Sequence, residues 1–141
     1  MTSVAKNREC VTNVSLMILG KLLDPKAVSR ALRMKPNQYW RKGERKQVGD
    51  SLHQWGGWKK WPPASVRSKP LVQQLRYWAK ELESLSDAIG EISSAKNQCI
   101  LDCFVSTDGT MSIVLDSELQ RRVSALGVEL HLSIWDSGNA G

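Results

Sequence analysis

The chain has 141 residues, of which 41% are hydrophobic and 24% charged, with a formal net charge of +6. These values are ordinary for a globular protein, and the length predicts one domain rather than two. The longest apolar runs are far shorter than the ~20 residues that span a bilayer, and the polar N-terminus does not resemble a secretory signal. We therefore expect a soluble cytoplasmic protein without a membrane partner, with a flexible N-terminus (1–10), a single domain (11–136) and a flexible tail (137–141).

Positive charge is concentrated in the first half of the chain. Residues 1–70 contain 15 Lys and Arg against 4 Asp and Glu, whereas residues 71–141 contain 5 against 10. The two balances are +11 and −5, so the small net charge conceals a strong asymmetry. If the halves fold together, one face of the molecule is expected to be positive and another negative.

The first predicted elements are a strand and a short helix. β-Branched and apolar residues over 11–19, ended by Gly20, are typical of a strand. Asp24-Pro25 predicts the N-cap and the first residue of a helix, because proline fits the first helical position. The helix is predicted to end at Lys35-Pro36.

A hairpin, a loop and a long helix are predicted next. Tyr39-Trp40 and residues 52–58 favour two paired strands, whereas residues 61–69 lack periodicity and predict an extended loop. Apolar side chains then recur at spacings of three and four, which predicts one stripe along a helix over 68–95. The stripe favours a helix lying on a sheet, and a coiled-coil seam is the alternative. Its seven members are Leu71, Leu75, Trp78, Leu82, Leu85, Ile89 and Ile92.

The last part of the chain predicts two strands, a helix and a final strand. Residues 98–106 and 111–115 are strand-like, and Asp108-Gly109 between them is a strong signal for a two-residue hairpin. Asp116 predicts the N-cap of a short helix that a glycine closes. Residues 128–135 alternate between apolar and polar types, which predicts a strand with one face in water.

The order of these elements predicts an α+β fold in which helices pack on one face of a largely antiparallel sheet. The first six elements follow the βαββαβ pattern of ferredoxin-like folds. A further strand, a short helix and a final strand are expected to extend that pattern.

Several short motifs follow one another in a characteristic order. They are the strand ending at Gly20, Leu23-Asp24-Pro25, Ala31-Leu32 through Pro36, Arg41-Lys42-Gly43-Glu44 with a following tryptophan (Trp55 or Trp58), the long helix, and the helix and strand over 126–135. In this order the chain resembles, over about residues 11–136, the bacterial family called domain of unknown function 4279. The resemblance implies the fold and a bacterial or phage origin but no established activity, so no catalytic residue is carried over. The chain departs from the family pattern in its strongly basic first half and in its four tryptophans between residues 40 and 61.

Few residues carry the chemistry of catalytic, cofactor or metal sites. The three cysteines are odd in number, and Cys99 and Cys103 would lie about 13 Å apart in a strand, too far for a disulfide. They could supply half of a zinc site, but no second close pair completes four ligands. His53 and His131 lie in no nucleophile motif, and no glycine-rich phosphate loop is present. We therefore expect reduced thiols, no cofactor, no metal and no catalytic residue, with an enzyme as the third-ranked class.

A basic, tryptophan-rich stretch is the most unusual feature of the sequence. Residues 26–60 contain ten Lys and Arg against two acidic residues, Glu44 and Asp50. In one interpretation the tryptophans pack the core and the cations only solvate the surface. In the other the stretch is a contact surface, because tryptophan and arginine dominate interface hot spots.

The tryptophans of this stretch are expected to divide between the two roles. A structural role is favoured for Trp40 and Trp55. Exposure is favoured for Trp58 and Trp61, because the neighbouring Gly-Gly and Pro-Pro pairs make it hard to bury every ring. The predicted partner-binding residues are Trp58, Trp61, Arg41, Lys42, Arg45, Lys46, Lys59 and Lys60.

Two functions fit this predicted surface. The first is a non-catalytic protein-binding module, in particular an inhibitor or immunity-type protein that blocks an acidic region of a toxin or defence-system protein. The second is nucleic-acid binding, because cations neutralise phosphates and aromatic rings stack on unpaired bases. The acidic second half and the missing helix-turn-helix, zinc-finger and RNA-recognition signatures count against nucleic acid. A protein partner with an acidic surface is therefore the leading hypothesis.

Overall fold

Five strands form one sheet in the computed structural model, which describes residues 11–136. Neighbouring strands are antiparallel, except that the last two are parallel. The predicted flexible segments at 1–10 and 137–141 lie outside the described residues. The strands are β1 (Val11–Gly20), β2 (Gln38–Trp40), β3 (Gly56–Lys60), β4 (Gln98–Thr107) and β5 (Glu129–Asp136), in the order β2-β3-β1-β4-β5.

The helices pack against one face of this sheet, here called the helix face, where the hydrophobic core lies. The predicted α+β class is therefore confirmed, and β3 lies between β1 and β2 as in the split βαβ arrangement of ferredoxin-like folds. Within residues 11–136 no helix has both the length and the apolar character to cross a bilayer. The helices are α1 (Pro25–Leu32), α2 (Ala64–Arg67), α3 (Leu71–Leu82), α4 (Ser86–Ser94) and α5 (Ser117–Leu126).

Local capping signals in the sequence correctly located the starts of two helices. The Asp24 carboxylate accepts a hydrogen bond from the Lys26 amide at 3.1 Å, at the start of α1. The Asp116 carboxylate accepts one from the Leu119 amide at 2.8 Å, at the start of α5. These bonds satisfy amides that have no partner within the helix, so both predicted N-caps are confirmed.

The apolar stripe packs on the sheet, as predicted, but the helix that carries it is not continuous. Six of its seven members are buried in the core and the seventh, Leu85, is half-buried. A 3-10 turn at Glu83–Leu85 separates α3 from α4. Serines at 84 and 86 are weak helix formers that favour such an interruption. The prediction of one helix over 68–95 is therefore wrong, and the burial of the stripe excludes its use as a coiled-coil seam.

Three other local predictions are also wrong in their boundaries or type. The second hairpin strand begins at Gly56 rather than at residue 52, and it continues to Lys60. The predicted loop at 61–69 contains the short helix α2. Residues 111–115 form no strand, since their alternate apolar side chains lie half-buried against the core. Because β5 is parallel to β4, the chain needs a crossover there, and the predicted Asp-Gly hairpin does not form.

One edge of β1 is completed by side chains rather than by a strand. β4 pairs with β1 along its length, but β3 pairs only with its second half, residues 16–20. In the first half, the Gln74 side chain of α3 accepts a hydrogen bond from the Val14 amide at 2.8 Å and donates to the Thr12 carbonyl at 3.2 Å. The Trp78 indole donates to the Val14 carbonyl at 2.7 Å. These bonds satisfy buried backbone groups that would otherwise lack partners.

Gln74→Ala is expected to lower the free energy of unfolding by about 3 kcal/mol, because it leaves buried backbone groups of β1 without partners. Urea unfolding measures the change. Gln73→Ala removes the same side chain from an exposed neighbouring position, and it is expected to change stability by less than about 0.5 kcal/mol. Equal losses in the two variants would contradict this account of the β1 edge.

Candidate functional site

The connection between β2 and β3 is an exposed, ordered extension that we call the basic arm (residues 41–55). It carries four cations against two acids, and residues 41–52 are all exposed. The Gly43 amide donates to the His53 carbonyl and the His53 amide to the Glu44 carbonyl, both at 2.8 Å. An isolated antiparallel bridge joins Arg45 to Leu52. These backbone bonds hold the arm as a hairpin whose cations point into solvent.

Trp40 anchors the basic arm to the sheet face opposite the helices. Its ring stacks on the His53 imidazole, with centroids 4.8 Å apart and planes 17° apart. The ring also lies directly over Gly57 of β3, where a Cβ atom would overlap it. Trp40 is half-buried between these neighbours, so its predicted structural role is consistent with this packing.

An ion pair ties the start of the arm to the start of α1. The Arg41 guanidinium donates to the Asp24 carboxylate at 3.0 Å. Desolvation acts to raise the pKa of Asp24, but the Lys26 amide and the Arg41 charge outweigh it and leave this pKa below its ordinary value. The charge of Arg41 is therefore partly balanced within the chain.

A hollow of about 550 Å³ lies between the arm and β2. Tyr39 and Trp40 line it from the strand, and Arg45, Lys46 and Val48 line it from the arm. Tyr39 and Val48 are largely exposed. The hollow thus combines aromatic and apolar surface with two cations and the Glu44 carboxylate. Of these residue types, tryptophan, tyrosine and arginine are the ones enriched at interface hot spots.

The structure brings together only four of the eight predicted partner-binding residues. Arg41, Lys42, Arg45 and Lys46 are all exposed on the basic arm. The other four lie on or after β3, and the strand geometry separates their side chains.

Trp58 is buried in the core, so the prediction that it is an exposed contact residue is wrong. Its side chain is 0% exposed and lies on the helix face, and its indole donates to the Ser29 hydroxyl of α1 at 3.0 Å. Because successive residues of a strand point to opposite faces, a tryptophan at this position of β3 must enter the core. Truncation of Trp58 to alanine would therefore disrupt the fold rather than test binding.

Lys59, Lys60 and Trp61 are half-buried outside the basic arm, and each contacts another part of the chain. Lys59 lies 3.9 Å from the Asp102 carboxylate of β4, on the face opposite the helices. Lys60 lies on the helix side and donates to the Lys35 carbonyl at 2.9 Å. Trp61 is half-buried, with the Arg67 guanidinium 5.8 Å from its ring centre. Each of these side chains is engaged within the chain.

Trp55 is the exposed indole of the basic arm, although the sequence favours a structural role for it. Its side chain is 41% exposed at the end of the arm, one residue before β3 begins. The signal that could have revealed it is its position directly before the Gly56-Gly57 pair, where the strand begins. Trp55 therefore replaces Trp58 as the aromatic candidate for partner contact.

The two cysteines of β4 are free, buried thiols on the helix face. Burial, aided by the charge of Glu129, raises the pKa of Cys99 to about 11. Burial, aided by the charge of Asp102, raises the pKa of Cys103 to about 12. Over residues 11–136, no three His, Cys, Asp or Glu side chains come together in a way that could hold a metal ion. Cys99 and Cys103 are therefore unreactive thiols of the core.

The fold and this surface define a class: an α+β domain with helices on one face of a five-stranded sheet and a cationic hairpin arm at its β2–β3 edge. The chain belongs to the DUF4279 family, a domain of unknown function, whose sequence model matches residues 8–137. The predicted family membership is therefore confirmed. Comparison with curated proteins and with solved structures gives no match.

Gly57→Ala is expected to displace the Trp40 ring and lower the free energy of unfolding by about 1–3 kcal/mol, since its Cβ atom overlaps that ring. Hydrogen exchange at the Gly43 and His53 amides should accelerate, because the arm loses its anchor. The matched control is Gly90→Ala in α4, where a Cβ atom meets open space. That change is expected to stabilise the protein by about 0.5–1 kcal/mol. Unchanged exchange in Gly57→Ala would contradict the anchoring role of Trp40.

The raised thiol pKa values predict a loss of stability at high pH. In the folded state the thiols ionise near pH 11 and 12, whereas in the unfolded state they ionise near their ordinary value of 9.0. Their contribution to folding is therefore complete below pH 9 and is lost as the pH rises through 11 to 12. In a Cys10→Ser background, urea unfolding from pH 8 to pH 10.5 should show a steeper fall than in a variant that also carries Cys99→Ala and Cys103→Ala. Parallel pH profiles would contradict the burial of these thiols.

Proposed function

We propose that the protein is a non-catalytic protein-binding module that engages an acidic surface of a partner protein through the basic arm. Its specific form would be an inhibitor or immunity-type protein that covers a functional region of a toxin or defence-system protein. The observation that carries this proposal is the grouping of four exposed cations on an ordered hairpin, two of which line a hollow with aromatic walls.

The basic arm is already held in one conformation, so little conformational entropy remains to be lost when a partner binds. Backbone hydrogen bonds at Gly43, Lys46 and His53 hold the hairpin closed before any partner arrives. Trp40 fixes its base through the stack on His53. A surface that is already ordered avoids part of the entropic cost of association. The exposed cations would also steer an acidic partner and raise the association rate.

The distribution of counter-charges favours a protein partner over nucleic acid. Arg41 is paired with Asp24 and Lys59 with Asp102, and Glu44 and Asp50 lie among the cations of the arm. A nucleic-acid site needs an extended row of cations along the phosphate backbone. An aromatic centre with a polar, charged rim is instead common in protein interfaces. Nucleic-acid binding is therefore the less favoured function, and the experiment below distinguishes it from protein binding.

Charge removal on the arm tests the proposal directly. The variant Arg45→Gln/Lys46→Gln is expected to weaken partner binding by about tenfold or more, because it removes both cations of the hollow. Trp55→Ala should weaken binding by about 2 kcal/mol without changing the unfolding midpoint. Affinity purification from cells that carry the protein naturally, with nuclease treatment and mass spectrometry, identifies the partner. Calorimetry with the purified partner then measures the affinities.

A matched control removes the same kinds of charge elsewhere. Lys80→Gln/Arg121→Gln neutralises two exposed cations of α3 and α5, and it should leave the affinity within a factor of two. The proposal fails if arm and control variants lose affinity equally. It also fails if the purified material is nucleic acid whose binding falls by roughly 10³-fold between 50 and 200 mM salt.

A further inference from the structure

A second concave surface is lined in part by Lys42 and Trp55 and shares no lining residue with the hollow of the basic arm. We call it the α1–α4 groove, because it runs between those two helices and is bounded by the turn that joins β1 to α1. Its volume is about 800 Å³, which lies within the roughly 300–1,000 Å³ range of small-molecule sites. Every residue that lines it is part of the described structure.

The floor of the groove is apolar and is kept open by small side chains. Leu23, Val28 and Ile92 form buried parts of it. Three alanines, Ala27 and Ala31 of α1 and Ala95 after α4, line it while remaining exposed. Larger residues at these exposed positions would fill the space between the helices.

The mouth of the groove carries two large apolar side chains that are exposed to water. Leu22 is 89% exposed, and Trp55 is 41% exposed. An apolar ligand on the alanine floor would cover part of both side chains. Removal of that apolar surface from water would favour binding.

Lysines dominate the charge around the mouth. Lys21, Lys42 and Lys96 all line the groove, and no salt bridge within residues 11–136 involves any of the three. Two acidic residues also line the groove, and one of them, Asp24, is paired with Arg41. Within residues 11–136, Glu91 is the one acidic lining residue that forms no ion pair. The rim therefore attracts an anion, whereas a cationic ligand would meet three ammonium groups.

We propose that the α1–α4 groove binds a small amphipathic carboxylate, with the apolar chain on the alanine floor and the carboxylate among the lysines of the mouth. The apolar floor favours an alkyl chain, and the lysines of the mouth favour a carboxylate. A purely polar anion would leave the apolar floor in contact with water, and a cationic amphiphile would be repelled. The groove shares Lys42 and Trp55 with the basic arm but none of the residues that line its hollow. The variants Arg45→Gln/Lys46→Gln and Ala31→Leu therefore test the two proposals independently.

Calorimetry with sodium decanoate below its micelle concentration tests this site on the intact chain at low salt. We expect saturable binding with one decanoate per chain. Decyltrimethylammonium has the same chain length and the opposite charge, and it should bind at least about tenfold more weakly. Absence of decanoate binding, or equal affinity for the two amphiphiles, would overturn the proposal.

Two pairs of variants locate the bound molecule. Ala31→Leu fills the groove and should weaken decanoate binding by at least tenfold, whereas Ala125→Leu adds the same side chain to an exposed site on α5 and should not. Lys21→Gln/Lys96→Gln should weaken decanoate binding by about three- to tenfold, while Lys80→Gln outside the groove should have no effect. Lys42 is left intact because it also belongs to the basic arm. Decanoate affinity that is the same in groove and control variants would show that the molecule binds elsewhere.

Discussion

The incompletely paired edge of β1 is the constraint on which the rest of the structure depends. β3 is too short to pair with the first half of β1, so the backbone of Thr12 and Val14 must find other partners. Gln74 and Trp78 supply them, and this fixes α3 across the strand. Once α3 is fixed, the apolar stripe that it shares with α4 faces the sheet and forms much of the core. A polar side chain in the core thus determines how the apolar ones are placed.

The same short β3 leaves the proposed binding surface at the edge of the sheet. The chain needs only three pairs between β2 and β3, so residues 41–55 project beyond the sheet as the basic arm. The Trp40 ring, held between Gly57 and His53, makes this projection a fixed part of the molecule. The sheet therefore serves as a rigid scaffold that positions the exposed arm, as is common for binding loops.

Local signals in the sequence predict much of the fold. The composition of the candidate site depends instead on where strands begin and how they pair, which local signals do not contain. Caps such as Asp24 act within one turn, so they can be recognised without the tertiary structure. The alternating residues 111–115 were mistaken for a strand because packing against helices leaves the same pattern as pairing in a sheet. The roles that the sequence predicts for Trp58 and Trp55 differ from the structure for a similar reason. Trp55 lies outside the sheet because β3 begins at Gly56 rather than at residue 52. Trp58 enters the core because the pairing register places it beside the buried Ile18 of β1, and composition alone does not determine that register.

The central claim is that partner proteins contact the cations of the basic arm. Zero-length carbodiimide crosslinking of the affinity-purified complex tests it most directly, because this reagent joins only amines and carboxylates that already touch. The account predicts that mass spectrometry will find Lys42 or Lys46 joined to Asp or Glu side chains of the partner. Crosslinks confined to lysines far from the arm, such as Lys69 and Lys80, would contradict it.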